Sequence, residues 1–390
     1  MGKSRLLLLV LGLAACGSPS SDSGVRTTDS AGVTLVTSPG TDRPYPFTVT
    51  LQRRLGLDDE GVAALTPVGR SFAGVDREQR IFILNASLSR IEVYDTAGQR
   101  IALMGREGGG PGEFGFPAGL QVSADGQVSV VDYGKGALVR FGPDRMPISE
   151  LPYQQFGFPY SGIQAQGDTV YLDTNLPREN SAVWTLRRFS PRDSITVAQL
   201  VLPASGELNF GCVILRGQAP VLSPLLVWAV GDSALAVADE PGYRVDLRVN
   251  DRLVRSIRRS VTPVPAGAAG VRRLYPEGQR IGFGRGRSDG CTISVEDLIE
   301  QQGVAPVVPE IQGLVLAPDG TLWVQRYTFP DEPQRVDVFD PSGVYRGTIT
   351  GHGVPAGFLS GNRVLFPIKD EETGGYSLGL FVLEPDGEPS

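Results

Sequence analysis

Short apolar runs broken by tight polar turns recur along this chain, and six of the turns share one chemistry. They begin at Tyr94-Asp95-Thr96-Ala97-Gly98, Phe141-Gly142-Pro143-Asp144, Phe189-Ser190-Pro191-Arg192-Asp193, Val249-Asn250-Asp251, Phe339-Asp340-Pro341-Ser342-Gly343 and Leu383-Glu384-Pro385-Asp386-Gly387. Pro presets φ at the first corner, Asp and Asn bond their own backbone, and Gly accepts positive φ. Upstream of most copies lies a second unit: a strand, a turn such as Asp125-Gly126 or Asp319-Gly320, then an apolar strand such as residues 128–131 or 322–324. Six copies predict six four-stranded blades, an all-β six-bladed propeller.

The blades fall at about residues 72–104, 118–151, 161–202, 225–249 and its outer strand, 313–350 and 356 onward. The last ends at a turn beside the C-terminus, so no residues remain for its fourth strand. An open edge would leave backbone groups unpaired. Residues 32–37 and 47–55 belong to no complete repeat, and one or both are expected to close the last blade. Successive turns stand about 47 residues apart until Phe189, and then the spacing lengthens twice, which marks two insertions. Across residues 261–309 the pattern lapses, with Ser294 placed to cap a short helix through Gln302 and Gly303 to stop it.

Composition changes the picture mainly at the N-terminus. Lys3 and Arg5 precede an apolar run at residues 6–13, too short to span a bilayer as a mature helix, and Leu13-Ala14-Ala15-Cys16 follows. That tetrapeptide resembles the lipobox of bacterial lipoproteins. The resemblance implies a signal peptide at 1–15, a lipidated Cys16 and an extracytoplasmic protein, at the outer membrane if there are two membranes, since Gly17 follows the cysteine. Residues 17–32 are rich in Ser, Thr, Asp and Gly, so 16–31 reads as a flexible tether and 32–390 as one propeller domain. The net charge of −7 becomes −9 once the two positives of Lys3 and Arg5 leave, which argues against nucleic acid as the partner. With Cys16 lipidated, Cys212 and Cys291 remain, each in an insertion. They are expected to form a disulfide rather than two separate buried thiols.

The stretch Arg106-Glu107-Gly108-Gly109-Gly110-Pro111-Gly112-Glu113-Phe114-Gly115-Phe116-Pro117, with Gly119-Leu120-Gln121-Val122 and Asp125-Gly126 after it, resembles the blade connection of NHL-type six-bladed propellers, including TolB-like lipoproteins. Relatives of that type range from interaction scaffolds to lyases and lactonases, so the resemblance speaks for fold. Gly110, Gly112 and Gly115 also satisfy G-x-G-x-x-G, but Pro117 leads into a strand rather than a helix, which rejects a dinucleotide site. His352 is the sole histidine and stands in Gly351-His352-Gly353 between blades, with no nucleophile elbow elsewhere. No cofactor is predicted. Calcium stays possible because it needs only oxygen ligands, and Asp76, Asp125, Asp132, Asp173, Asp239 and Asp319 could supply them, although most read as turn or strand-end residues.

The oddest stretch holds Arg272, Arg273, Tyr275, Arg280, Phe283, Arg285 and Arg287. Its arginines could form an anion-binding lid with aromatic stacking surfaces, or a solvated loop paired to acids. Trp184, Trp228 and Trp323 read as blade packing. The expected function is a lipid-anchored extracytoplasmic binding or interaction module for a protein, glycan or small anionic ligand. The ligand-binding candidates are Arg272, Arg273, Tyr275, Arg285 and Arg287, and no catalytic residue stands out. The alternative is a calcium-dependent lactonase- or lyase-like enzyme with carboxylates converging at the axis.

Overall fold

The computed structural model describes residues 24–58, 61, 63, 65, 72–153, 159, 162–166, 169–176, 178, 180–190, 192–281 and 290–387. The repeats fold as six antiparallel blades, with strands A to D in chain order in the first five. Blade one is Ala73–Val75, Ile81–Asn85, Arg90–Tyr94 and Arg100–Met104. Blade two is Pro117–Val122, Val128–Asp132, Ala137–Phe141 and Pro147–Pro152. Blade three is Ile163–Gln166, Thr169–Asn175, Ser181–Phe189 and Ser194–Pro203. Blade four is Val227–Val230, Leu235–Ala238, Arg244–Val249 and Arg252–Ser260. Blade five is Ile311–Leu316, Leu322–Arg326, Arg335–Phe339 and Tyr345–Thr350. Blade six supplies Gly357–Leu359, Arg363–Lys369 and Tyr376–Pro385 from its own stretch.

The A strands of neighbouring blades touch one another, so they form the inner wall of the ring. Middle strands such as Ile81–Asn85 and Val128–Asp132 are buried at every position, and apolar side chains fill the space between blades. Turn chemistry works as the residue types predict. The Asp95 carboxylate accepts from the N–H of Ala97 and Gln99 at 2.9 and 2.8 Å, and Asp340 accepts from Ser342 and Val344 at 2.9 and 3.1 Å.

The N-terminal stretch does two different things. Phe47–Leu55 pairs antiparallel with Tyr376–Pro385 and supplies strand D of blade six, so first and last parts of the chain share one sheet. Val33–Pro39 instead lies parallel to the outer strand of blade four, and Arg26–Ser30 pairs with it, which widens that sheet to six strands. Among the described residues, regular structure thus begins at Arg26, inside the stretch expected as tether. The reason is local: Ala31 and Gly32 both take positive φ, 50° and 81°, and make a two-residue hairpin turn between Ser30 and Val33.

From blade four the chain crosses to blade six as a strap over blade five. Tyr45 N–H donates to Thr348 O, and Thr348 N–H donates to Arg43 O. Gly347 permits this approach: a Cβ there would lie 2.5 Å from the Tyr45 Cα.

Candidate binding face

In each blade the B–C loop and the connection to the next blade lie on one side of the ring, and the A–B and C–D turns lie on the other. Both insertions, residues 204–226 and 261–310, are connections between blades, so both stand on the first side. The B–C loop of blade five, residues 327–334, joins them there. Glu207–Asn209 pairs with Ile214–Arg216 as a hairpin carrying Cys212 near its tip, and Gln279–Ile281 pairs with Cys291–Ile293. Cys212 and Cys291 form a disulfide, 79 residues apart in sequence with Cα atoms 5.6 Å apart. Closing a loop of that length constrains the unfolded chain by up to about 4 kcal/mol.

Apolar packing accounts for the rest of this module. Val221, Leu222, Val271, Ile293, Leu298 and Phe329 form a buried core distinct from those between blades. Backbone bonds stitch the insertions together: Val221 N–H donates to Gly303 O and Ala305 N–H to Val221 O, both at 2.9 Å. Ser294 caps as its sequence predicts, accepting from Asp297 N–H at 3.0 Å, but past Val295–Asp297 the helix widens to a π-turn over Leu298–Gln302, with Gly303 at φ 79° after it. A second helix, Gly267–Leu274, was not foreseen from the sequence, where Gly267 and Gly270 weaken the helical signal; it carries Arg272 and Arg273 in its last turn, where cations suit the carbonyl end.

The arginine candidates separate. Arg273 donates to Asp331 at 2.7 Å and Glu332 at 3.0 Å, and its guanidinium stands 4.1 Å from the centre of the Phe329 ring. Those hydrogen bonds hold its pKa above the ordinary value and that of Asp331 below. Arg272 is exposed, 3.7 Å from Glu296. Tyr275 packs partly buried against the module core, beside Tyr327, whose hydroxyl burial, together with Tyr275 and Glu332, pushes up to about 12. Arg285 and Arg287 lie outside the described residues, as does Cys16.

Four of the six candidate calcium ligands, Asp76, Asp125, Asp132 and Asp319, are engaged by neighbouring groups of the fold. Asp76 binds Arg80 through N–H and guanidinium at 2.9 and 2.6 Å, Asp125 accepts from Ser123, and Asp319 accepts from Thr321 N–H at 2.9 Å. Asp132, buried, accepts from the N–H of Gly115, Phe116 and Lys135 at 2.7, 2.9 and 2.9 Å. Asp132 thus takes two amides at the end of the glycine-rich loop, whose Gly110 N–H goes to Glu113 at 2.7 Å. Asp173 is buried, and Asp239 has its pKa raised by burial and by Asp246. Among the described residues no group of three or more His, Cys, Asp or Glu side chains is placed to hold a metal ion. His352 stacks on Phe366 at 4.7 Å and meets Phe381 edge-on at 5.0 Å, and burial lowers its pKa. All three tryptophans are buried in the blades.

Sequence reading missed the strongest polar cluster. Beneath the strap, the Arg259 guanidinium, wholly buried, donates to Asp337 at 2.7 Å, to Asp42 at 3.1 Å and to the carbonyls of Pro39, Gly40 and Thr41 at 3.0–3.2 Å. It also stands 3.8 Å from the centre of the Tyr345 ring. Tyr243 and Thr348 hydroxyls donate to Asp337, each at 2.6 Å. A signal existed: Arg90-Ile91-Glu92, Arg244-Val245-Asp246 and Arg335-Val336-Asp337 repeat an arginine two residues before an acid in strand C, and all three acids are buried.

A family model described as "6-bladed beta-propeller" matches residues 75–169. Among curated proteins, none matches the sequence. A DUF4221-family member from Bacteroides vulgatus superposes with a TM-score of 0.53 at 7% identity, covering 88% of this chain and 100% of its own. A Bacteroides fragilis protein described as exported gives 0.49 at 11% identity, over 90% and 100%. A gluconolactonase from Xanthomonas campestris gives 0.41 at 13% identity, over 88% and 98%. Among the described residues no helix is long and apolar enough to cross a membrane. The matched family model and the strand order agree that the chain folds as a six-bladed β-propeller.

Proposed function

We propose that this chain is a lipid-anchored extracytoplasmic propeller that works as a binding module, held at the membrane through Cys16 and engaging its partner through the insertion face. One observation carries the reading: two separate insertions converge on one face, build their own apolar core and are cross-linked by Cys212 and Cys291. A propeller needs none of this to close its ring. The ligand is anionic in this reading, a glycan, protein or small molecule, met by Arg272, Arg273, Arg285 and Arg287, with Tyr275 as a further candidate contact. Guanidinium groups bind carboxylates and phosphates through paired donors. The enzyme alternative needs converging carboxylates, and Asp76, Asp125, Asp132 and Asp319 are instead committed to turns and loops.

The test replaces Arg272, Arg273, Arg285 and Arg287 with Ser and compares binding to anionic glycans, carboxylates and envelope extracts. The reading expects weaker binding at an unchanged melting temperature, and wild-type binding that falls with salt. Equal binding by variant and wild type would return the arginines to a solvated, acid-paired loop. A stoichiometric divalent ion surviving dialysis would favour the enzyme.

A further inference from the structure

Strand direction settles where the anchor leaves the folded part. The outer strand of blade four, Arg252–Ser260, runs toward the insertion face, because residues 261–310 continue from its end. Val33–Pro39 lies parallel to it with Pro39 opposite Ser260, so Pro39 is at that face. Arg26–Ser30 is antiparallel, with Arg26 opposite Thr37, and Gly24 packs on Pro39. Gly24, the first of the described residues, therefore stands at the rim of the insertion face.

Cys16 is eight residues from Gly24. Covalent geometry lets eight residues span at most about 27 Å. The opposite face is a strand length away, and Arg252–Ser260, nine residues, extends roughly 27 Å. A lipid on Cys16 reaches the plane of the insertion face easily and that of the opposite face only by full extension.

The insertion face also carries what an interfacial surface needs. Leu176 in the B–C loop of blade three, Ile214 in the first insertion, Leu225 just before blade four and Val264 in the second insertion are all exposed. Arg272 and Arg280, also exposed, stand in the same module. Exposed apolar side chains and guanidinium groups on one face suit the boundary between acyl chains and headgroup phosphates.

We propose that the insertion face lies against the bilayer that holds the anchor, with Leu176, Ile214, Leu225 and Val264 entering the headgroup region and Arg272 and Arg280 meeting lipid phosphates. This rests on the lipid-anchor reading above and names its anionic partner as the lipid surface. The turn face, with the A–B and C–D turns, then points away from the membrane.

The experiment uses the full lipidated chain in vesicles of phosphatidylcholine and phosphatidylglycerol, with part of the lipid spin-labelled in the headgroup region. A fluorophore is placed on Glu277→Cys, in the module, or on Met146→Cys, at the C–D turn of blade two. With Cys16 lipidated and Cys212 bonded to Cys291, each variant has one free thiol. Quenching several-fold stronger at position 277 than at 146 is expected. Replacing Leu176, Ile214, Leu225 and Val264 with Ser should reduce it while the protein stays vesicle-bound. Equal or reversed quenching in vesicle-bound protein, or quenching unmoved by the four serines, overturns this orientation and leaves the anchor standing. If the Cys16→Ser chain partitions with vesicles as wild type does, the anchor reading falls, and this inference with it.

Discussion

Arg259 and Arg273 do the same chemistry at two depths. Each stands on an aromatic ring, Tyr345 or Phe329, and each donates to two carboxylates, Asp337 and Asp42 or Asp331 and Glu332. The Arg259 side chain is 0% exposed and that of Arg273 39%. Around Arg259, three backbone carbonyls and two hydroxyl donors complete the cluster, so no charge is left without partners. Around Arg273, water can replace any partner that leaves. The contact lists look alike, yet removing one member from the first strands a buried charge and removing one from the second does not. The first cluster therefore belongs to stability, and the second is free to belong to recognition.

The largest effect should come from taking away what Arg259 holds. Deleting residues 24–55 removes the strap, with Asp42, and strand D of blade six, and the ring should lose cooperative unfolding altogether; deleting 17–23 should leave the melting temperature where it was. Calorimetry of both truncations checks this, and a sharp unchanged transition in the longer deletion would show that the strap and closing strand are ornamental.

Arg259→Ala should cost about 3–5 kcal/mol in denaturant unfolding, because Asp337 is then buried without its cation. A loss near that of an exposed arginine would erase the contrast between the two sites.

Alkaline titration sharpens it. Burial, and then Asp337, raise the Tyr243 pKa well above 10. An unfolded tyrosine ionises near 10. The folded state keeps the proton and the unfolded state gives it up, so stability is intact below about pH 10 and falls as pH rises further. Tyr243→Phe should be less stable at neutral pH and lose less on going to high pH, which paired melting curves would show.

The smallest effect is expected at the surface. Arg273→Ala should leave the melting temperature close to that of wild type while weakening anionic binding. A marked drop in melting temperature would make Arg273 a structural residue of the module.

What could be read from the sequence follows the range of the interactions. The turns at Asp95 and Asp340 are legible because each carboxylate bonds backbone only two to four residues on. Blade count and blade bounds follow from them. The disulfide was legible as an even pair of cysteines in two insertions. The destination of residues 32–37 was not, since pairing with blade six or blade four depends on contacts more than 200 residues away. Nor was the Arg259 cluster as a whole: the strand-C repeat marks Asp337 alone, and its partners at residues 42, 243 and 259 lie 78 or more positions away. In the candidate site, arginine clustering pointed to the module, but Arg273's acidic partners, Asp331 and Glu332, lie nearly sixty residues downstream.

The central claim is that the insertion face is the working face. Hydrogen exchange of the full-length protein in its native envelope membranes, set against the purified protein in detergent, addresses it most directly. The account predicts added protection in residues 204–226, 261–281 and 290–310, with little change in the A–B and C–D turns. Protection confined to those turns, or no difference anywhere, would contradict it.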